Sequence, residues 1–554
     1  MFATEPPAAP ALPPLDRRSL LKGGLLGLGA AGAPLSAQLT AGAQGFTHGV
    51  ASGEPGGDTV LLWTRYASDQ PVAIEWQVAA TSDFANPIAE GSVEATADND
   101  GCVKAWATGL APGTWYYYRF VAPNGAKSDV GRTRTLPEGP TDRFRMAVFS
   151  CSNIGFGWFN AYAHAADADE FDCALHLGDY FYEYQPGDYP SVKQTAPGRT
   201  VWPPRELIHL TDYRERYAAY RSDPDLRRLH QLYPMIAVWD DHESANDSWK
   251  GGAENHQPDT EGDWGARKVA AVKAYREWMP VSDDNWASYE IGDLATLFRL
   301  ETRLTARDHQ FSLAQIIASG GNDPEKTRAA LVAFRDEAWK DPSRHMIGDD
   351  QQAWLDEGLR RSKGEGKTWQ VLVQQVIMGR LVSSPTLAES LPADVPDYVR
   401  RRVLSGAMAG AEGVPYNMDA WDGYPAARAR IFEAALAADA NLISLAGDSH
   451  NAWAFDLDLD GTPVGIEFAG HSVTSPGIES SLPQIPADVM ARDTVANNSQ
   501  LKWMDASQRG YMAVELRPGS ATSEYRFVDG VRQRSARLAS SHTILAPAGS
   551  KRLA

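Results

Sequence analysis

Cysteine is scarce in this chain: three residues in 554, at positions 102, 151 and 173. So few exclude a disulfide framework, and an odd number leaves at least one thiol unpaired under any pairing. At this length an apolar core suffices for stability, so neither crosslinks nor a structural metal is required to hold a fold together. An unpaired thiol is then open to another occupation, such as metal ligation.

Long apolar runs are missing after the first forty or so residues, which leaves no segment that reads as a membrane span. Positive charge is also short, with 52 Lys and Arg against 71 Asp and Glu and a formal net charge of -19. Such acidity excludes a general attraction for nucleic acid or anionic membrane, so an anionic substrate has to meet locally concentrated positive charge. No G-x-S-x-G elbow follows a strand-like run, and the segment "GDSHN" does not replace it, so serine hydrolase chemistry has no support.

What is present begins with "LDRRSLLKGGLLGLGAAGAPLSAQ", in which Arg17 and Arg18 precede a short apolar run and then small residues suited to cleavage. This resembles a twin-arginine export signal over residues 1–43, with cleavage after Ala37 or Ala43 and a periplasmic or secreted destination. Three basic residues stand against two acidic ones in that region, so its removal takes the charge to about -20. The letters "GLGAAG" at Gly27–Gly32 match a dinucleotide fingerprint, but no strand precedes them and no acidic partner follows in a βαβ unit, so no nucleotide site is read there.

From residue 44 to 138 the text alternates: "TVLLWTRY", "VAIEWQVA" with Val72, Ile74, Trp76 and Val78 on one face, and "TWYYYRFVA". This predicts a small immunoglobulin- or fibronectin-like β-sandwich, with Tyr116 resembling its tyrosine corner. From 141 onward the apolar runs "RMAVFS", "CALHL", "MIAVW", "WQVLVQQV" and "NLISLAG" are separated by helical stretches such as "ARKVAAVKAYREW" and "YPAARARIFEAALAA". Runs that do not alternate are buried on both faces, which predicts an α/β layered domain over 141–554 with its chemistry at the strand ends.

Those ends carry ligand-forming groups: Cys151; Gly178-Asp179; Asp240, Asp241, His242 and Glu243; and Asp448, Ser449 and His450. Each alone reads as a turn or a satisfied polar residue. Converging on one edge they would repel one another and raise one another's pKa unless cations lay among them. The pattern therefore predicts a metal centre.

The set "SCS" (150–152), "HLGDYFYEY" (176–184), "WDDHE" (239–243), "WDGYPAARAR" (421–430), "LAGDSH" (445–450) and "VTSPG" (473–477) resembles the alkaline phosphatase D, or PhoD, family of metallophosphatases. The resemblance runs from the export signal to "RGYMAVEL" near the end. It implies a four-layer α/β/β/α metallophosphatase sandwich and hydrolysis of phosphate mono- or diesters by attack of a metal-bound hydroxide. It also implies a ferric ion with one or two calcium ions.

Carried over residue by residue, the resemblance makes Cys151 a thiolate ligand to iron, Asp179 the bridge between metals, Tyr213 a phenolate ligand and His450 a further iron ligand. Asp448 then faces calcium and Asp241 takes a metal-binding position, with Asn246 or Asp247 adding an oxygen ligand for calcium. Asp179, Asp241, His242 and His450 form the expected catalytic set. Asp240, His242 and Glu243 could instead orient ligands by hydrogen bonds, and His242 could protonate the leaving alkoxide. Read from spacing alone, Tyr213 belongs to a helical stripe with Tyr217 and Tyr220 that packs on the core. Glu301 departs from the family's Asp before Thr302 and Arg303, and Arg303 reads as one half of a buried ion pair.

The segment "DLDLDGTPVGIE", Asp456–Glu467, fits a calcium-loop template, yet its alternating flanks and Asp-Gly turn predict a β-hairpin. A rival from another class is an exported, non-catalytic, calcium-dependent protein that binds a surface polymer. It accounts for the sandwich and leaves Cys151 and Tyr213 unexplained.

Overall fold

The computed structural model describes residues 44–554, with positions 322 and 393 excepted; the expected export signal lies outside the described residues. Two large sheets dominate. The nine-stranded sheet runs in the order Leu538–Pro547, Ser520–Val528, Gly510–Leu516, Phe144–Phe149, Cys173–His176, Pro234–Ala237, Gly45–Gly53, Val60–Ala67, Cys102–Ala107. The seven-stranded sheet has Ala295–Arg299, Trp369–Val373, Leu442–Ala446 and Thr462–Ala469 as its parallel centre.

The sheets face each other across one apolar core, to which Met146, Val148 and Leu175 contribute from one side and Leu297, Val371, Ile443 and Ile466 from the other. On the outer face of the first sheet lies a second core, which takes in Tyr217 of the helix Leu210–Arg221 and Ala271 of the helix Trp264–Trp278. The outer face of the second packs on Leu355, Leu359, Ile431 and Phe432, from the helices Asp349–Gly364 and Pro425–Ala437. The apolar runs between the helices are thus strands covered on both faces, as their lack of alternation predicts.

The N-terminal strands do not stand apart. Gly45–Gly53 pairs in parallel with Pro234–Ala237, Ser52 opposite Pro234, so three N-terminal strands, Gly45–Gly53, Val60–Ala67 and Cys102–Ala107, extend the large sheet. A four-stranded sheet packs on this extension, with Ile74, Val78, Tyr118 and Phe120 against Val60, Leu62 and Val103. The phenol of Tyr116 accepts the backbone N–H of Ala111 at 2.9 Å, the contact expected of a tyrosine corner. The calcium-loop look-alike is a hairpin between Ala452–Leu459 and Thr462–Ala469.

Candidate metal centre

Three neighbouring parallel strands, Phe144–Phe149, Cys173–His176 and Pro234–Ala237, end beside one another and hand over to Cys151, Asp179 and Asp240-Asp241. From the facing sheet, Leu442–Ala446 ends at Asp448 and His450, and Ala295–Arg299 leads to Arg303. The strand ends crowd here: across the two sheets a Cβ on Gly447 would stand 2.7 Å from Cβ of Ser150, and within the first sheet one on Gly178 would stand only 2.3 Å from Cβ of Asp240. Glycine is the residue that fits such a gap.

The chain turns sharply at each of these ends. Cys151, Asp179, Asp247, Asp448 and His450 all take left-handed backbone angles, with φ from 52° to 64°. That region is sparsely populated by residues other than glycine and costs free energy that surrounding contacts must offset. Five occurrences within one cluster indicate that side-chain placement, not local propensity, decides the conformation.

Among the described residues, possible ligand atoms within 4.8 Å of one another form three groups: Cys151, Asp179 and His450; Asp179, Asp241 and His242; and Asp240, Asp241 and Asp448. Asp179 belongs to two of them, and so does Asp241. Oδ1 of Asp179 and Oδ2 of Asp240 are buried without a hydrogen-bond partner. Buried carboxylate oxygens left this way are costly unless a cation meets them, so the residues present fit bound metal.

The first group mixes sulfur, nitrogen and oxygen, which suits a transition metal; the third is all oxygen, which suits calcium. Nδ1 of His450 lies 2.8 Å from the carbonyl of Pro476 and donates to it, which frees Nε2 for the cluster. Nε2 lies 3.0 Å from the phenol of Tyr182. That phenol also donates to Oδ2 of Asp179 at 3.0 Å and accepts from Ser475 at 2.8 Å.

Tyr182 is therefore the phenol of this site, and Tyr213 is not. Tyr213 is fully buried in the outer core together with Tyr217 and Tyr220; its hydroxyl donates to the carbonyl of Ser244 at 2.5 Å and accepts from Arg267 at 3.2 Å. The helical stripe packs as its spacing predicts, and the phenolate role carried over by resemblance has no geometric support at Tyr213. The signal for Tyr182 was its place three residues after Asp179 in "GDYFYEY".

Asn246 stands at the edge of the centre. Its side-chain amide donates to Glu254 at 3.2 Å and its backbone N–H to Glu183 at 2.7 Å. Asp247 donates its backbone N–H to Asp241 at 2.7 Å. Glu243 ties the strand ends together, accepting the backbone N–H groups of Asp179, Tyr180 and Asp240. Glu183, not singled out in the sequence, accepts from Nδ1 of His242 at 2.7 Å and from Asn255 at 2.9 Å.

Arg303 is a buried cation among four carboxylates. It pairs with Asp240 and, at 2.7 Å, with Asp419, while Asp448 and Asp241 lie 3.5 and 3.9 Å from its Nη2. Glu301 shapes its loop by accepting the N–H groups of Arg303 and Leu304 and the indole of Trp239. The ion-pair reading of Arg303 holds, and its loop closes the calcium-like side of the centre.

Electrostatics follow from crowding. Burial pushes Asp179 well above the carboxylate range, and Asp241, Asp240 and Glu243 add to the effect. Burial likewise takes Asp448 and Asp247 to about 7 and Glu243 to about 8. The Cys151 thiol is raised by burial and by Asp179. His450 is pulled down to about 3 by burial, so its imidazole is neutral and able to bind metal. Burial opposes a charge on His242 too, but Asp241, Asp179 and Glu183 outweigh it and hold its pKa well above the ordinary value. A cation would reverse the carboxylate and thiol shifts by favouring the charged forms.

Comparison with known proteins agrees with this geometry. Residues 146–525 match the model of the PhoD-like phosphatase family and residues 31–137 that of the PhoD-like phosphatase N-terminal domain. Alkaline phosphatase D of Bacillus subtilis (strain 168) is 31% identical over 517 residues, covering 89% of this chain and 79% of its own. The solved structure of PhoD superposes with a TM-score of 0.73 at 28% identity over 92% of each chain. The chain is a phosphatase, and it belongs to the PhoD-like phosphatase family.

Proposed function

We propose that this protein is an exported, metal-dependent phosphoesterase that hydrolyses phosphate mono- or diesters with one iron and one or two calcium ions. The observation that carries the reading is the sharing of Asp179 between a group with sulfur and imidazole donors and a second group with Asp241. One carboxylate between two cation positions suits a centre that grips a phosphoryl group from two sides. The facing sheets with helices outside support the four-layer α/β/β/α arrangement. The arginine pair at Arg17 and Arg18 supports export to the periplasm or beyond, and no described helix is long and apolar enough to cross a membrane.

In this reading Cys151, Tyr182 and His450 would hold iron, Asp179 would bridge, and Asp241 and Asp448, with Asp240, would hold calcium. Bound there, the cations supply the positive charge that draws an anionic ester into an acidic protein and activate water for attack on phosphorus. Glu183 fixes the ring of His242 through Nδ1, so a proton held at Nε2 is available to the departing alkoxide. Arg303 holds Asp240 and Asp419 in place by ion pairing. Elemental analysis of purified protein beside a panel of phosphate esters tests the reading. A colourless, inactive protein that binds calcium would instead support the polymer-binding rival.

A further inference from the structure

The helix Leu210–Arg221 ends on an arginine with 0% exposure. Among the described residues no carboxylate pairs with Arg221, and none of its three guanidinium nitrogens makes a hydrogen bond of good geometry. The other arginines buried as deeply are all answered. Arg303 and Arg307 pair with Asp419, Arg267 with Glu206 and Glu261, and Arg216 donates to the carbonyls of Trp202 and Tyr184. Arginine stays protonated in proteins, and an isolated buried charge is strongly disfavoured.

The surroundings answer only part of that charge. The indole of Trp63 meets one face of the guanidinium, with Cζ 4.2 Å from the ring centroid. A ring face attracts the cation but does not meet the N–H groups, which lie in the guanidinium plane. Beyond Trp63, at 6.0 Å between ring centroids, stands Trp278, and 5.1 Å from Trp278 stands the ring of His48. His48 is 3% exposed, and neither of its ring nitrogens has a hydrogen-bond partner. The phenol of Tyr180 approaches Arg221 but is neutral and is shared with Nε2 of His230 at 2.9 Å. Burial, with Arg65, Arg221 and Arg227, holds His48 well below the ordinary imidazole value, so its ring is neutral and has one N–H to give. Arg65 and Arg227 have their own partners, Asp100 at 2.9 Å and Asp129 at 3.0 Å. One uncompensated positive charge is left.

We propose that Arg221 and His48 hold a small monovalent anion of the halide class, chloride in ordinary solution, as a buried structural ion. It sits where the first strand of the large sheet's N-terminal extension meets the helix Leu210–Arg221. Charge selects the class: one unpaired guanidinium balances one negative charge, whereas a phosphate dianion would leave a net negative charge in the interior. Donor count selects it too. A single-atom anion is satisfied by the few N–H groups available, while an oxyanion would bring several oxygens to a place with too few donors to meet them. The ion shares no ligand residue with the metal centre, and the proposal does not depend on the phosphoesterase reading.

The test uses the full-length, metal-loaded protein exchanged into sodium gluconate and titrated with sodium chloride or sodium bromide at constant ionic strength. The thermal midpoint is expected to rise with the logarithm of either halide concentration once half-saturation is passed. Crystals soaked in bromide are expected to give an anomalous peak in contact with the Arg221 guanidinium. Arg221→Met should abolish both signals, and Arg228→Gln, at an exposed ion pair, should keep both. His48→Phe keeps a ring against Trp278 and removes the N–H, so the half-saturating chloride concentration should rise about tenfold. If Arg221→Met fails to fold, the parent crystal and His48→Phe still decide. A midpoint indifferent to chloride, with only water at Arg221, would overturn the site, and so would an unchanged chloride response in both variants. A bromide peak without chloride-dependent stabilisation would mark an adventitious ion only and would equally overturn it.

Discussion

Tyr182 donates its phenolic hydrogen to Oδ2 of Asp179 at 3.0 Å, from a position three residues further along the same strand-end loop. This places a phenol beside Cys151 and His450, where a ferric ion would draw charge from phenolate or thiolate and colour the protein. Tyr182→Phe is expected to shift or abolish the visible charge-transfer band, and Tyr213→Phe to leave it in place. Absorption spectra of the two purified variants decide between the tyrosines.

Cys151 and Cys173 are both buried and unpaired, but they face different surroundings. Cys173 lies in the core between the sheets with Met146 and Leu175, and burial pushes its thiol up to about 12, so it packs as a small apolar residue. Cys151→Ala is expected to lose iron, at least tenfold in retention, while Cys173→Ala keeps it. Iron content after extensive dialysis is the measurement.

Arg303→Met would strand Asp240 and Asp419 in the interior without their cation. Removing one partner of such a buried pair costs about 3–5 kcal/mol, so the thermal midpoint should fall by several degrees. Calorimetry of the variant and parent checks it.

Acid should destabilise the metal-loaded protein well before its carboxylates titrate in the ordinary range. Burial lowers His176 to about 3 and His471 to about 4, both away from the proposed ligands, and holds them neutral. The unfolded chain takes up those protons near pH 6.5, so below that value it binds more protons than the folded protein. Stability from each imidazole is complete above pH 6.5 and is lost as the pH falls toward the folded value. For His471 the loss between pH 8 and pH 5 is about 2 kcal/mol. Denaturation midpoints for the parent and His471→Gln, measured at both pH values, should differ in their pH dependence by about that amount.

Much of this was legible in the sequence because strands buried on both faces announce themselves as unbroken apolar runs, and their ends carried Cys151, Asp179, Asp241 and His450. Long-range pairing was not legible: nothing in "GFTHGVASG" shows that Ser52 will lie opposite Pro234 and make the N-terminal strands part of the large sheet. Loop contacts were hidden for a similar reason. Tyr182 and Glu183 sit in an irregular segment without a period to place them, whereas Tyr213 sits in a helix whose period correctly pointed to the core. The role of Glu183 lies in its contact with His242, 2.7 Å away and 59 residues along the chain.

The most direct test is paired metal and activity analysis of Asp179→Asn, the carboxylate common to two ligand groups. The expected result is parent protein carrying iron and calcium and hydrolysing phosphate esters, and a folded variant that has lost metal and nearly all turnover. A variant that keeps both within a few-fold would contradict a shared cation-binding carboxylate at the heart of the site.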